Sequence, residues 1–583
     1  MESQPSARYA PTHLPDIPER TLDQKSLNGP AGAHEWPSIR PQSAHFFETA
    51  VEPAMSPPME QKPIETAPPP EEPKDPPKLL IASLFLSVFL SALDITIITT
   101  ALPTMAETLH TNATGFGWIG SAYLLAGAAS GPVWAKISDI FGRKPVMLAA
   151  NIFFLIGSAV CGWSFSLGML IAGRVVQGIG SGGLLVMVSI LLSDLFSAKR
   201  RGKYSGLLGT VWGVANGLGP AIGGLFCEKL NWRWCFWINI PLDGIAFLAI
   251  CFFLKVHKPH TPLVQGLLAI DWLGAIAIVG GTVMLLLGLD FGGITFPWTS
   301  PIVLSLLLVG IATLAAAILI EATIPRYPII PLHIFRSLSN SVIYAINFSH
   351  GFVFIAGSYF LPIYFQAVLG TTPLLSGVYL FPYNLTLSIT SIITGMTISK
   401  HGAYKTWIIF SLLLLALGFL LFAEFPPHTS WPRLVLYQLI AGCGVGPLFQ
   451  APMIAMQNSV AAQDRAAATS MFSFVRQIAN AISVVLGNVV LQNQLAGKRA
   501  QLLASGTAPP LVHLLTHGHA VSSPSAIAAL LPEQKIAVRA ALTDALGKMW
   551  LMYAVVAVLG LALPSFIKNK KLSDQHVVHE TGL

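Results

Sequence analysis

Leu170-Ile171-Ala172-Gly173-Arg174-Val175-Val176-Gln177-Gly178-Ile179-Gly180-Ser181-Gly182 returns in altered form as Leu434-Val435-Leu436-Tyr437-Gln438-Leu439-Ile440-Ala441-Gly442-Cys443-Gly444-Val445-Gly446. Arg174 and Gln438 are 264 residues apart, and the same offset carries Arg201 onto Arg465, Ala215 onto Ala479, Asn216 onto Asn480 and Gly223 onto Gly487. One match can arise by chance, but two runs at one offset point to a duplicated helix pair. Repeats of this kind mark pseudo-symmetric halves with a site between them.

The rest of the chain says what those halves are made of. Of 583 residues, 53% are hydrophobic and 10% charged, where a soluble domain carries roughly 25% charged residues. Most of the surface therefore meets lipid. A spanning helix takes about 20 apolar residues, and stretches of that kind occur near 79–101, 116–135, 146–164, 168–192, 204–226, 235–254, 271–290, 301–321, 341–368, 374–398, 405–424, 433–456, 467–493 and 547–567. This gives an all-α polytopic membrane protein of fourteen spans. The repeat pairs spans 4 and 5 with spans 12 and 13, so two six-helix bundles flank two extra central helices, spans 7 and 8.

Alternate short loops carry Lys136, Arg143 and Lys144; Lys199, Arg200, Arg201 and Lys203; Lys255 and Lys258; Arg326 and Arg336; Lys400 and Lys405; and Arg465. The intervening short loops carry Lys229, Arg233 and Arg433. By the positive-inside rule both termini are expected in the cytosol, and Lys568, Lys570 and Lys571 agree. The net charge of +7 is thus a topology signal, not a nucleic-acid-binding patch. Expected domains are a disordered cytosolic tail (1–76), a six-helix bundle (77–256), two linker helices (257–338), a second bundle (339–567) and a cytosolic tail (568–583). The first tail is rich in Pro, Glu and Ser and lacks the apolar core of a signal peptide. The second bundle includes an outer loop, 494–546, with helical periodicity from Ser523 to Leu546. Asn112-Ala113-Thr114 is a glycosylation sequon close to the membrane and is expected to be unused. The five cysteines, Cys161, Cys227, Cys235, Cys251 and Cys443, have no metal-ligand spacing. Cys227 and Cys235 flank one outer loop, where buried free thiols are the expected state and a disulfide is the alternative.

Several motifs carry a family likeness. Ala135-Lys136-Ile137-Ser138-Asp139-Ile140-Phe141-Gly142-Arg143-Lys144 resembles the major facilitator signature between helices 2 and 3, with Ala135 in place of its first glycine. Arg174 to Gly180 resembles the helix 4 motif, and Gly213-Val214-Ala215-Asn216-Gly217-Leu218-Gly219-Pro220-Ala221-Ile222-Gly223-Gly224 the helix 5 antiporter motif. Leu93-Asp94-Ile95-Thr96, with Ala101-Leu102-Pro103, and Trp232 to Pro241 resemble the fourteen-span drug:proton antiporter branch. The Pro328–Arg336 segment and Tyr359 to Gln366 are similar to fungal toxin and multidrug exporters. The likeness spans residues 79 to about 567 and implies the facilitator fold and proton-coupled efflux of small, mostly hydrophobic molecules.

Charges within spans are costly and are functional candidates. Asp94 lies roughly 10 Å from the outer end of span 1, and Arg174 roughly 9 Å from the outer end of span 4. Opposite charges at matching depth suggest contact. Arg174 favours the ionised carboxyl and an apolar surrounding the neutral one, so the pair is either a proton carrier or a structural ion pair. Arg476, roughly 15 Å into span 13, either meets an anionic or carbonyl-bearing substrate or bonds backbone carbonyls. Asp139, with Gly142, Arg143 and Lys144, is expected to cap the next helix and to pair with Arg143 or a neighbouring helix end, as a cytosolic gate and as a topology anchor alike. Gly213, Gly217, Pro220 and Gly224 fall on one helical face, where small residues let helices approach closely; Gly219 and Gly223 complete the antiporter motif. Gln177, Trp212, Asn216, Tyr359, Tyr364, Gln366, Tyr379, Gln438, Arg476 and Asn480 are candidates for an apolar pocket with a few polar anchors.

No GxxxxGK[ST] phosphate loop is present to drive an ATP-dependent pump. The fifteen histidines are dispersed, so an enzyme is not expected. Nor are a metal or a cofactor, the proton gradient being the driving force. Expected partners are the lipid bilayer, a small-molecule substrate and protons, with the chain a monomer. The plasma membrane is the expected location, with the vacuolar membrane as the alternative. A proton-coupled uptake symporter, for an iron chelate or another small organic solute, is the alternative function, because fold alone does not set direction.

Overall fold

The computed structural model describes residues 76–109, 113–256, 262–293, 296–323, 332–516, 527 and 529–568. The expected tail 1–76, except its last residue, the sequon asparagine Asn112 and most of the tail 568–583 lie outside the described residues. Fourteen helical segments stand where the apolar stretches are. They are α1 (Lys78–Thr108), α2 (Ala113–Phe141), α3 (Arg143–Gly162), α4 (Leu167–Leu195), α5 (Ala198–Lys229) and α6 (Trp234–Trp237 continuing as Asn239–Phe253). The central pair is α7 (Trp272–Phe291) and α8 (Pro301–Thr323). Then follow α9 (Leu338–Ile363), α10 (Pro373–Tyr379 and Phe381–His401), α11 (Tyr404–Ala423), α12 (Trp431–Leu448 and Ala451–Ser459), α13 (Arg465–Gly497) and α14 (Pro532–Ala562).

Eleven helices among the described residues are long and apolar enough to cross a membrane. The three segments that fall short, α2, α5 and α10, are diluted by charge, glycine and hydroxyl side chains, and these are the helices that the two halves press together. Helix α5 packs against α10, and α2 packs against α13. The 264-residue offset relates these two seams, since it carries α5 onto α13 and α2 onto α10. Packing within the halves repeats in the same way. Contacts of α1 with α5, α2 with α4, α3 with α4, α1 with α6 and α3 with α6 recur as α9 with α13, α10 with α12, α11 with α12, α9 with α14 and α11 with α14. The central pair breaks the symmetry: α7 lies against α2 and α13, where Ala275, Ile278, Ala317 and Phe474 share a buried cluster.

Local chemistry sets several helix ends. The Ser166 hydroxyl accepts from the Met169 amide to start α4, and Thr372 caps α10 in the same way. Between α2 and α3 there is one residue, Gly142, at φ 92°. That value suits glycine and strains other residues, so α2 turns directly into α3 and the expected loop of several residues is absent. Asp139 therefore sits in the last turn of α2, and Gly142, without a side-chain cap, precedes α3. The α9 helix ends in a wider turn over Tyr364–Val368, where Leu369 N–H reaches the Tyr364 carbonyl. The described part of the expected outer loop is largely helical: α13 runs on to Gly497, helices Arg499–Ala504 and Pro509–Thr516 follow, and α14 begins at Pro532, while the start of the Ser523–Leu546 stretch lies outside the described residues. Lys498 pairs with Asp544 at 3.0 Å and ties the end of α13 to α14. All five cysteines are free thiols.

Candidate functional site

Asp94, on α1, is 1% exposed and Arg174, on α4, is equally buried. The Arg174 Nη1 donates to Asp94 Oδ2. The other carboxylate oxygen accepts from Gln177 Nε2 and Asn239 Nδ2, both at 3.0 Å. Gln177 Nε2 also donates to Ser158 Oγ at 2.8 Å, and Arg174 Nε donates to the Ile119 carbonyl at 3.0 Å. The guanidinium lies 4.2 Å from the Tyr123 ring centroid, and the Tyr123 hydroxyl donates to the Ser91 carbonyl at 2.9 Å. The structure thus brings Asp94 and Arg174 together and puts Gln177 in their network, enclosed among α1, α2, α3, α4 and α6. Burying two charges costs several kcal/mol per ion unless hydrogen bonds complete them, and these partners do so. Asn239, Ser158 and Tyr123 join the site through packing alone. Asn239 lay within the Trp232–Pro241 stretch, but no spacing tied it to a carboxylate 145 residues away.

At the α2–α3 turn, Arg143 Nη1 pairs with Asp139 Oδ1 at 2.6 Å and donates to Ser138 Oγ at 2.7 Å. Arg143 Nε pairs with Asp194 Oδ2, at the end of α4, at 2.9 Å. Asp194 is a third member that the signature does not contain. Lys144 is half-buried and belongs to none of these pairs. The turn thus fastens α2, α3 and α4 to one another within the first half.

Beside that turn, Arg201 Nη1 donates to Gln457 Oε1 of α12 at 2.9 Å. Ser391 Oγ donates to the Gly206 carbonyl and Ser470 Oγ to the Gly131 carbonyl, both at 3.2 Å. Glycine makes the first of these seams close. A Cβ at Gly395 would sit 2.3 Å from the Gly202 carbonyl oxygen and 2.9 Å from Gly206 Cα. The glycine-rich stretch of α5 divides its faces. Gly213 and Gly217 meet α10, and Pro220 meets Gly377. Gly219 and Gly223 meet α1, where a Cβ would stand 2.0 Å from Thr96 Oγ1 and 2.1 Å from the Ile97 carbonyl oxygen. Gly224 faces open space.

The second half carries its own constellation. Arg476 Nε donates to Asn347 Oδ1 at 3.0 Å, and its guanidinium lies 4.9 Å and 5.1 Å from the Phe449 and Phe472 ring centroids. Arg476 Nη2 has no hydrogen-bond partner among the described residues. His350 stands edge-on to Phe449 at 4.8 Å, and Phe449 stacks on Trp212 of the first half at 6.5 Å. Asn480 is held by Gln477 one turn beyond Arg476. Asn216 is buried one turn from Trp212. Other pocket candidates point elsewhere. The Tyr364 hydroxyl donates to the Pro426 carbonyl at 2.8 Å, and its ring stacks on Phe425. Gln366 reaches Ser376, Tyr379 packs on Trp431, and Tyr359 on Phe360. Gln438 is fully buried and bonds the Leu434 carbonyl of its own helix.

Residues 84–484 match the profile described as Major Facilitator Superfamily. The chain is 46% identical over 506 residues to "Efflux pump dotC" of Dothistroma septosporum, covering 87% of this chain and 86% of that protein. It is 33% identical over 530 residues to "Efflux pump FUS6" of Gibberella moniliformis, covering 90% and 94%. Among solved structures it is similar to the human organic anion transporter MFSD10, with TM-score 0.54, 18% identity and coverage of 85% and 100%. The proton:xylose symporter XylE gives TM-score 0.54, 15% identity and coverage of 85% and 97%. At such identities the structures share the fold alone.

Proposed function

We propose that this chain, which belongs to the Major Facilitator Superfamily, exports small, mostly hydrophobic metabolites or toxins in exchange for protons. The observation that carries the coupling is the buried Asp94 carboxylate, held by Arg174, Gln177 and Asn239. A proton on that carboxyl removes the counter-charge of Arg174 and leaves a buried cation unpaired, which drives the network to rearrange. The direction of transport is supported by relatives whose names describe efflux pumps. In the proposed cycle the α2–α3 turn faces the cytosol of a plasma-membrane protein. The conformation described is then closed on the cytosolic side by the α5–α10 and α2–α13 seams. A proton enters from outside to Asp94, and its later release to the cytosol resets the pair after substrate has left. Substrate binds beside Arg476, Phe449 and Trp212, where an unfilled guanidinium donor and aromatic faces suit a molecule with an anionic or carbonyl group on an apolar body.

A test begins with the gene deleted in its host. A metabolite retained by the deletion strain is offered to inside-out plasma-membrane vesicles with an acidic lumen. The intact chain accumulates it and Asp94→Asn does not. Undiminished, gradient-dependent accumulation by Asp94→Asn rejects the coupling role. Accumulation by right-side-out vesicles under an inward proton gradient identifies uptake instead.

A further inference from the structure

Asp243, on α6, is a carboxylate of the first half that takes part neither in the Asp94 network nor in the ion pairs of the α2–α3 turn. It is 0% exposed, and neither carboxylate oxygen has a hydrogen-bond partner among the described residues. Its place in the bundle is fixed by Asn239, one helical turn earlier and therefore on the same face, whose side chain reaches Asp94 and Ser158. Asp243 thus faces α1 and α3, against which α6 packs.

Those helices form a column of polar groups at this face. The first tier is Asp94, Ser158 and Asn239. Seven residues nearer the α2–α3 turn on both α1 and α3, Ser87 Oγ donates to Asn151 Oδ1 at 3.2 Å, and both residues are fully buried. At 1.5 Å per residue the two tiers are about 10 Å apart, and Asp243 lies about 6 Å below Asn239, between them. The charged and titratable groups on the neighbouring elements are few. Helix α1 carries Lys78, Asp94 and Glu107, and α3 carries Arg143, Lys144 and Cys161. Cys235 and Cys251 lie on α6 itself, and α5 brings Cys227, Glu228 and Lys229 to the first segment of α6. The cations stand at helix ends, and none shares the depth of Asp243. An ionised carboxylate buried without cation or donor is far less stable than the neutral acid.

We propose that Asp243 is a second proton-binding carboxyl of the first half, which holds a proton in the conformation described and exchanges it along the column toward the α2–α3 turn. This rests on the proton-coupled reading of Asp94 and adds a site to it. Protonation of Asp94 frees Asn239 from its carboxylate acceptor, and Asn239 is the link through which that event reaches the helix bearing Asp243.

Infrared difference spectroscopy on the full chain in proteoliposomes tests this with no transported solute. At neutral pH the C=O stretch of a protonated carboxyl is expected in the intact protein. It is lost in Asp243→Asn, shifted in frequency in Asp243→Glu and retained in Asp94→Asn. The band shifts on transfer to heavy water, as an exchangeable proton requires. No such band in the intact protein, or an unchanged band in Asp243→Asn, overturns the proposal. Asp243→Glu keeps the test open should the asparagine variant fail to fold. If Asp94 proves uncoupled in vesicles, this band is unaffected, so the two failures are distinct.

Discussion

Arg174 is held in place by more than its charge: Asp94, Gln177, the Ile119 carbonyl and the Tyr123 ring fill its surroundings. Arg174→Ala leaves the Asp94 carboxylate buried without its cation, a loss that costs about 3–5 kcal/mol in comparable buried pairs. Thermal unfolding of the purified variant is expected at a clearly lower midpoint, and the double variant Arg174→Ala, Asp94→Asn should regain part of that loss. Arg476 has a different kind of surrounding, with Nη2 left over beside aromatic faces. If that donor meets substrate, Arg476→Gln removes a charge-assisted hydrogen bond of about 1.5–3 kcal/mol. The transport KM then rises roughly ten- to a hundred-fold, while thermal stability changes little. A large fall in stability with unchanged KM would make Arg476 a structural residue.

At the scale of the element, α5 is the helix on which the two halves and the first half's own α1 converge. Its glycines are not equivalent, and their neighbours rank them. Gly395→Val, on the facing α10, drives a branched side chain into the Gly202 carbonyl and Gly206 backbone. This is expected to abolish transport while leaving each half folded. Cysteines introduced along the seam should then become reactive to a polar maleimide. Gly224→Ala meets open space, and removing a helical glycine is worth up to about 1 kcal/mol. Transport is expected to persist with equal or higher thermal stability. The sequence placed Gly213, Gly217, Pro220 and Gly224 on one face from their spacing alone. Gly202, Gly206 and Gly395 lie outside the motif, and nothing local says which neighbour they approach.

For the whole molecule, contacts near the α2–α3 turn join the halves, and the bond from Arg201 to Gln457 is charge-assisted. Gln457→Ala removes the acceptor and leaves the Arg201 donor unpaired. A two-state equilibrium loses bias toward the joined form by the energy of that contact, about 1.5–3 kcal/mol. Labelling of a cysteine at Thr210 from the turn side should then quicken about tenfold or more. Unchanged labelling would mean that the glycine seam alone holds this side shut. Among the described residues the central pair leans on the seam of α2 with α13, where α7 packs against both helices. The molecule is therefore symmetric in its bundles and asymmetric at their junction.

What the sequence determined by itself are the properties that neighbours along the chain share. Hydropathy over twenty residues located the helices, and a repeat at one offset paired α4 and α5 with α12 and α13. Residue rise along a helix put Asp94 and Arg174 at one depth, because depth follows from position in a span. Rotation about the helix axis and the choice of neighbour do not follow from it. Those were decided in tertiary structure: Asn239 and Ser158 reach Asp94 from α6 and α3, Asp194 joins Arg143 from α4, and Tyr364 turns to Phe425 instead of toward Arg476. In the sequence Asp243 is a single acid in the apolar stretch 235–254. Only packing of α6 against α1 and α3 made it a buried acid without a hydrogen-bond partner among the described residues, since burial and pairing are set by helices far apart in the chain.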